Sequence, residues 1–396
     1  MTGCFTAQVC FRGLFLGCCL LLSGYLCYTL YLMERGFSSV MEDIEKMTKN
    51  DAKYILLWSH NDTVPYSSFL MGSDGFSDSH CQYTNCYLSN DEAFFNNLTE
   101  WDALLFPLDE NALTGSPRHP FPKARRNHQK YILASMGSNH YYPLCDQKWN
   151  NYFNWTMTFK LDSDIPWEYF VIRDLTNNQI IGPRANILWR NNMMSLSEEK
   201  KKILKKKTKA VAWSASKFCH SLSKREVYVE ELKKELEMLD MDLDVFGDCG
   251  SKVCDENTCN IYLEDDYLFY LSFENSFAID YTTENFLTAM QHNVVPIVWG
   301  GSDYSRFAPP HSYINAREMS AKDLASLLHR LVNNIDEYAE YLKWQQYYSY
   351  HSVYDSYETH PLCKLCKALN DPLMTDTPRV RGDIRSWWNG EGNKNC

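Results

Sequence analysis

Between Phe269 and Gly301 a polar stretch, Glu274-Asn275-Ser276 and then Asp280-Tyr-Thr-Thr-Glu284, lies between two apolar runs, Tyr267 to Phe273 and Val294 to Trp299. Phe286, Leu287 and Met290 recur there at helical spacing, and Asp280, Thr282 or Thr283 can cap the helix they predict. Such a helix points its amino end at the carboxyl edge of a sheet. Backbone N–H groups and the helix dipole favour an anion there, typically a phosphate. An ordinary polar loop in an α/β core carries the same pattern.

Other residues invite chemistry elsewhere. Asp162-Ser-Asp164 has the Asp-x-Asp spacing that coordinates metal in many sugar-nucleotide transferases. His360, Cys363 and Cys366 suggest zinc, but no second Cys/His pair stands at finger spacing. Of fifteen cysteines, ten lie beyond residue 33, an even number that suits disulfides in an oxidising compartment. Cys81/Cys86, Cys249/Cys254/Cys259 and Cys363/Cys366 form local clusters, and spacing does not give their pairing. Asn61, Asn97 and Asn154 each open a glycosylation sequon.

These groups need elements to hold them. The runs 267–273 and 294–299 are too short for helices and too apolar for strands with one wet face, so they predict buried parallel neighbours in a βαβ unit. Further buried strands are predicted at Tyr54 to Trp58, Ala103 to Phe106, Lys130 to Leu133 and Ala210 to Trp213. Residues 198–209 form a charge run read as a solvated helix or linker. A net charge of −11 argues against a nucleic-acid partner for it. Ser320, Leu324, Leu327, Leu328 and Leu331 predict a capped helix with one buried face, and 336–348 reads as a second, tyrosine-rich helix.

Residues 13–33 carry no charge and are long enough to cross a hydrocarbon core of about 30 Å, predicting a membrane anchor after a tail at 1–12. After a stem at 34–50, roughly 345 residues remain, more than one ordinary core. The expected division is a first domain at 51–197, a basic linker at 198–209 and a second domain at 210–396.

Phe269-Tyr-Leu-Ser-Phe-Glu-Asn-Ser276, Asp280-Tyr-Thr-Thr-Glu284, Val295-Pro-Ile-Val-Trp-Gly300, Asp244-Val-Phe-Gly-Asp-Cys-Gly250, Cys363-x-x-Cys366 and Phe153-Asn-Trp-Thr-Met-Thr-Phe-Lys-Leu-Asp-Ser-Asp164 together resemble the α-1,3-fucosyltransferase family, in the family's order. The resemblance runs from about residue 53 to the C-terminus. It implies an α/β fold of the GT-B type, two Rossmann-like domains facing a cleft behind a single transmembrane helix. The implied setting is the Golgi membrane, with a type II topology and a lumenal catalytic region. The implied reaction transfers L-fucose from GDP-fucose, with inversion, to an N-acetylglucosamine of a glycoprotein N-glycan. No cofactor is implied beyond the donor, and Mn2+ is at most stimulatory, which makes Asp162-Ser-Asp164 a loop-stabilising element.

The resemblance also assigns roles. Arg225 matches an arginine that holds the diphosphate, Tyr281 and Glu284 match contacts to the nucleotide sugar, and Glu274, Asn275 and Ser216 complete the donor set. Asn285 stands where a diphosphate-binding lysine is usual, Lys217 replaces an asparagine after Ser216, and Phe159-Lys160 replaces Tyr-Arg. Trp167-Glu-Tyr-Phe170 keeps only part of the family's Pro-Tyr-Gly ending. The family's acceptor-side Leu-Glu-Ser-Pro element corresponds to Leu133-Ala-Ser-Met136, which puts Ala134 in the place of the catalytic glutamate. Alanine cannot take a proton, and losing a general base costs roughly 10² to 10⁴ in rate. Asp146 and His140 are the candidate substitutes. Active transfer with a relocated base and binding without efficient transfer both remain open at this point.

Overall fold

The computed structural model describes residues 28, 29, 31, 51–58, 69–108, 121–122, 125–215, 219–253, 262–377, 380–390 and 396. The expected tail and stem, nearly all of the expected anchor, Asn61 and Ser216 lie outside them. Among the described residues no helix is long and apolar enough to cross a membrane.

The first sheet contains β1 (Lys53–Leu57), β2 (Cys86–Ser89), β3 (Ala103–Pro107), β4 (Lys130–Ser135), β5 (Trp155–Thr158) and β6 (Ile165–Pro166). All six are parallel, in the order β2-β1-β3-β4-β5-β6. Their near-continuous apolarity follows from cover on both faces. Ile55, Leu57, Leu105, Ile132 and Ala134 point to one side, and Leu56, Leu104, Phe106, Tyr131 and Leu133 to the other, in the two-residue alternation of a strand.

The cover comes largely from the far end of the chain. Leu362, Leu365 and Leu369 of helix Pro361–Asn370 pack on the first face, and Ile384 and Trp388 of helix Ile384–Asn389 on the second. The C-terminal segment expected with the second domain therefore completes the first. Disulfides Cys81–Cys363, Cys86–Cys366 and Cys145–Cys396 fasten it there. Both cysteines of the zinc reading are thus oxidised and cannot serve as thiolate ligands. Cys219–Cys249 closes a shorter loop in the second unit.

Two strands of a third sheet follow in the chain, β7 (Phe170–Asp174) and β8 (Ile180–Gly182). The second parallel sheet comprises β9 (Lys209–Ser214), β10 (Leu243–Phe246), β11 (Tyr267–Phe273), β12 (Val295–Trp299) and β13 (Ile314–Asn315), in the order β10-β9-β11-β12-β13. Phe269, Leu271 and Phe273 face helices Arg225–Glu237 and Ala321–Asn333, whereas Tyr267 and Tyr270 face the opposite side with Ala289. Helix Glu284–Gln291 forms the crossover between the parallel pair β11 and β12, as the sequence predicts.

The tyrosine-rich stretch differs from its expectation. Helix Ile335–Glu340 stops early, a 3-10 turn follows at Lys343–Gln346, and Tyr348, the last residue of the expected helix, opens β14 (Tyr348–Ser352), antiparallel to β7 from Tyr348↔Asp174 to Ser352↔Phe170. Buried Tyr348 and Tyr350 alternate on it and pack with Phe170, Phe286 and Phe307, so tertiary pairing decides the conformation. The charge run is helical over Glu198–Leu204, capped by Ser197, but Lys207 is not solvated. Its Nζ donates to the carbonyls of Leu263, Tyr267 and Asn293, and burial lowers its pKa to about 8.

Candidate donor-binding site

Strand β11 is buried along its whole length and delivers Glu274 at its carboxyl edge. The Glu274 N–H donates to the Trp299 carbonyl at 2.8 Å, continuing the ladder one step past the strand. The segment after it needs the glycine pair that follows β12. A Cβ on Gly301 would lie 2.1 Å from the Phe277 carbonyl oxygen, so only glycine lets the two backbones approach this closely. Thr283 caps helix Glu284–Gln291, accepting from the Asn285 N–H. Its own N–H donates to Glu274 Oε1 at 2.9 Å, and its hydroxyl lies 3.0 Å from Oε2.

A cavity of about 890 Å3 opens beside this cap, and Arg225, Glu274, Asn275, Tyr281, Glu284 and Asn285 all line it. Six separately read positions are thereby brought together; Ser216 lies outside the described residues. Tyr169, Ser214, Tyr270, Thr283 and Gln291 share the lining and were not read as site residues. Only Thr283 carried a usable signal, as a candidate helix cap.

Arg225 begins helix Arg225–Glu237 and is 6% exposed, with its guanidinium over the Trp213 ring and Nη1 donating to the Phe273 carbonyl. Arg225 also lines the cavity, and a guanidinium is a planar fork of a kind that suits phosphate oxygens. Glu274 is buried beside it, and desolvation raises its pKa to about 8. The Glu284 charge pushes the same way, while the Thr283 hydrogen bonds and Arg225 oppose the shift without cancelling it. At neutral pH the raised pKa favours the protonated acid, whose Oε1 accepts from both the Thr283 N–H and the Thr283 hydroxyl. Asn275 Oδ1 is buried without a hydrogen-bond partner among the described residues. Tyr281 is packed edge-on against Phe159 and Tyr169, so the first unit holds part of the donor loop.

The acceptor-side positions need correction. Ala134 lies inside β4, is fully buried and faces the core, so its side chain cannot reach a ligand. A Cβ on Gly137, past the strand end, would meet the Tyr142 ring at 2.4 Å, so a side chain there requires that ring to move. The next residues reach the second unit: Ser276 Oγ donates to Ser138 Oγ at 2.6 Å, and the Leu222 N–H donates to the Tyr141 hydroxyl. His140 sits half-buried in this turn, and burial holds its imidazole pKa below the usual value. Neither His140 nor Asp146 is among the residues that line the cavity. Asp146 caps a surface turn and pairs with Lys148 at 3.0 Å, and these hydrogen bonds depress its pKa.

Asp162 and Asp164 bind the returning C-terminal segment. Trp387 Nε1 donates to Asp162 Oδ2 at 2.7 Å, and Arg381 Nε lies 3.4 Å from Asp164 Oδ2. Asn97 is exposed, as a glycan acceptor must be. Asn154 is 6% exposed, and its Oδ1 accepts from the Tyr131 N–H and from Arg125. A glycan there would attach to Nδ2 of a nearly buried side chain.

A crevice at the carboxyl edge of a parallel sheet, with an arginine and a capped helix on its wall and a second α/β unit at its rim, defines an α/β protein suited to a phosphorylated ligand. Comparison with known proteins agrees. Residues 50–170 match the profile "Fucosyltransferase, N-terminal", and residues 204–387 match "Glycosyltransferase family 10 (fucosyltransferase) C-term". Alpha-(1,3)-fucosyltransferase C of Drosophila melanogaster is 35% identical over 316 residues, covering 78% of this chain and 70% of that protein. The human 4-galactosyl-N-acetylglucosaminide 3-alpha-L-fucosyltransferase FUT6 is 34% identical over 54% of this chain and 52% of its own. A crystal structure of an alpha1,3-fucosyltransferase with GDP-fucose superposes with a TM-score of 0.48 at 15% identity, over 84% of this chain and 93% of that one. The chain belongs to glycosyltransferase family 10, the fucosyltransferases.

Proposed function

We propose that the protein transfers L-fucose from GDP-fucose, in α-1,3 linkage and with inversion, onto N-acetylglucosamine of glycoprotein glycans. The observation that carries this reading is the convergence of Arg225, Glu274, Asn275, Tyr281, Glu284 and Asn285 on one cavity. The names of the fly and human relatives support the linkage. Arg225 takes the diphosphate, and the amino end of helix 284–291 faces the same charge. Glu284 accepts from ribose hydroxyls, and the buried Asn275 Oδ1 accepts a donor N–H or O–H. A neutral Glu274 avoids repelling the diphosphate. Asn285 contributes an amide instead of a second cation, so Arg225 carries more of the leaving-group charge.

His140 is the base in this scheme. The acceptor hydroxyl oxygen attacks the anomeric carbon from the side opposite the diphosphate while its proton passes to the imidazole. The bond from fucose to GDP breaks with its electron pair on GDP, which inverts the carbon. Support for His140 comes from its place in the turn that touches residues 222 and 276 and from its lowered pKa, which keeps it unprotonated at neutral pH. Binding without transfer drew its support from Ala134, and a core-facing residue carries no information about the base.

The apolar run at 13–33, the exposed Asn97 sequon and the four disulfides among the described residues support a Golgi type II protein with a lumenal catalytic region. The test is incubation of purified protein with GDP-fucose and a panel of N-acetylglucosamine-terminated and N-glycan core acceptors, with product linkage and anomer assigned by NMR. An α-1,3-linked fucose is expected. Folded protein that binds GDP yet leaves the panel unmodified refutes transfer.

A further inference from the structure

A second cavity, of about 1010 Å3, lies across the turn Val353–Asp355 from the donor cavity, and Ser352 and Asp355 line both. Its lining includes β7 and β14 residues of the third sheet, Arg173 and His351 among them, together with the 177–179 hairpin and residues 356–367. This wall is fixed in advance, because Cys363 lines the cavity and is bonded to Cys81. A preformed groove loses little freedom when it binds.

The lining chemistry selects the ligand class. Asn177, Asn178, Gln179 and His351 offer donors and acceptors in both directions, which suits a ligand rich in hydroxyls. Two of the groove's cations are already neutralised: Arg173 pairs with Glu358 at 3.4 Å, and Lys364 with Glu168 at 2.7 Å. The third lining cation, Lys367, is matched by the Asp355 carboxylate on the same wall, so the groove carries no net positive charge of the kind a phosphate or nucleotide needs. Tyr357 stands 49% exposed on its wall, an aromatic face open to the C–H surface of a sugar ring. At the upper end of the roughly 300–1,000 Å3 usual for small-ligand sites, the space exceeds that of one sugar.

We propose that this groove binds the arm of the acceptor glycan beyond the reacting N-acetylglucosamine, as a neutral oligosaccharide subsite. The arm lies on the third sheet while its reacting end crosses the 353–355 turn into the donor cavity. The subsite sets preference for extended acceptors over minimal ones. This rests on the fucosyl-transfer reading above, and the experiment separates the two.

Initial rates are measured for wild type, Tyr357→Ala and Tyr357→Phe with a minimal N-acetylglucosamine glycoside and with an extended N-glycan oligosaccharide. Binding of the same oligosaccharide is followed by saturation-transfer NMR. Tyr357→Ala is expected to raise KM for the extended acceptor about tenfold, as loss of one stacked aromatic does. KM for GDP-fucose and for the minimal acceptor stays unchanged, and Tyr357→Phe retains wild-type preference. Equal effects on both acceptors, or none on either, overturn the subsite. Oligosaccharide binding that Tyr357→Ala abolishes, in a protein that transfers nothing, supports the subsite and refutes the transferase reading. Absence of both binding and transfer refutes both.

Discussion

Replacing Glu274 with glutamine removes one titrating proton from the centre of the donor site and leaves its shape nearly unchanged. The carboxyl is 1% exposed, and its pKa is raised from 4.5 to about 8. A folded-state pKa above the unfolded value means that the protonated form stabilises the fold. That contribution is complete below about pH 4.5 and is lost as pH rises through about 8. With one proton at about 1.4 kcal/mol per pH unit, the wild-type protein gives up on the order of 4 kcal/mol across this window. Glutamine presents its amide oxygen to the Thr283 N–H and hydroxyl at any pH. Denaturant unfolding of both proteins from pH 5 to 9 should show Glu274→Gln gaining on wild type by about 1 kcal/mol per unit up to about pH 8, then running parallel. A constant difference, or wild type gaining as pH rises, would mean that Arg225 wins over burial and that Glu274 is ionised.

Further outcomes follow from the same geometry. His140→Gln should lower kcat by roughly 10² to 10⁴ with GDP affinity unchanged, and should remove an acid limb in the rate profile that lies below the ordinary histidine pKa of 6.5; full activity in the variant excludes it as base. Gly301→Ala forces a Cβ against the Phe277 carbonyl and should cost about 1–3 kcal/mol of stability together with donor binding, read by thermal shift with and without GDP. Peptide mapping of protein from a secretory host should find glycan at Asn97 and none at Asn154, and an occupied Asn154 would contradict the packing of the strand it precedes.

The donor half was legible because its signals are local. A seven-residue apolar run can only be a strand buried on both faces, and Thr283 announces the helix that follows it. The first unit was harder to read for a geometric reason. Side chains alternate along a strand, so matching the family's glutamate slot to Ala134 set that slot on a core-facing position inside β4. Asn154 satisfies the sequon pattern, but a tripeptide does not encode that the side chain is nearly buried with its Oδ1 accepting from the Tyr131 N–H. The helix expected at 336–348 stops at Glu340, and β14, which begins at Tyr348, takes its conformation from β7, a partner far back in the chain. The cross-chain disulfides, and the return of residues 361–389 to the first sheet, depend on contacts over more than 200 residues, which periodicity cannot reveal.

The donor-site assignment is tested most directly by calorimetric titration of GDP-fucose into wild type, Arg225→Lys, Arg225→Ala and Asp162→Ala. Loss of a charge-assisted, two-pronged contact to the diphosphate predicts about 10²-fold weaker binding for Arg225→Ala. An intermediate loss is expected for Arg225→Lys, which keeps the charge without the fork. Asp162→Ala should stay near wild type, since its carboxylate is engaged by Trp387. Equal losses from Arg225→Ala and Asp162→Ala, or undiminished binding in Arg225→Ala, would contradict the placement of the donor in this cavity.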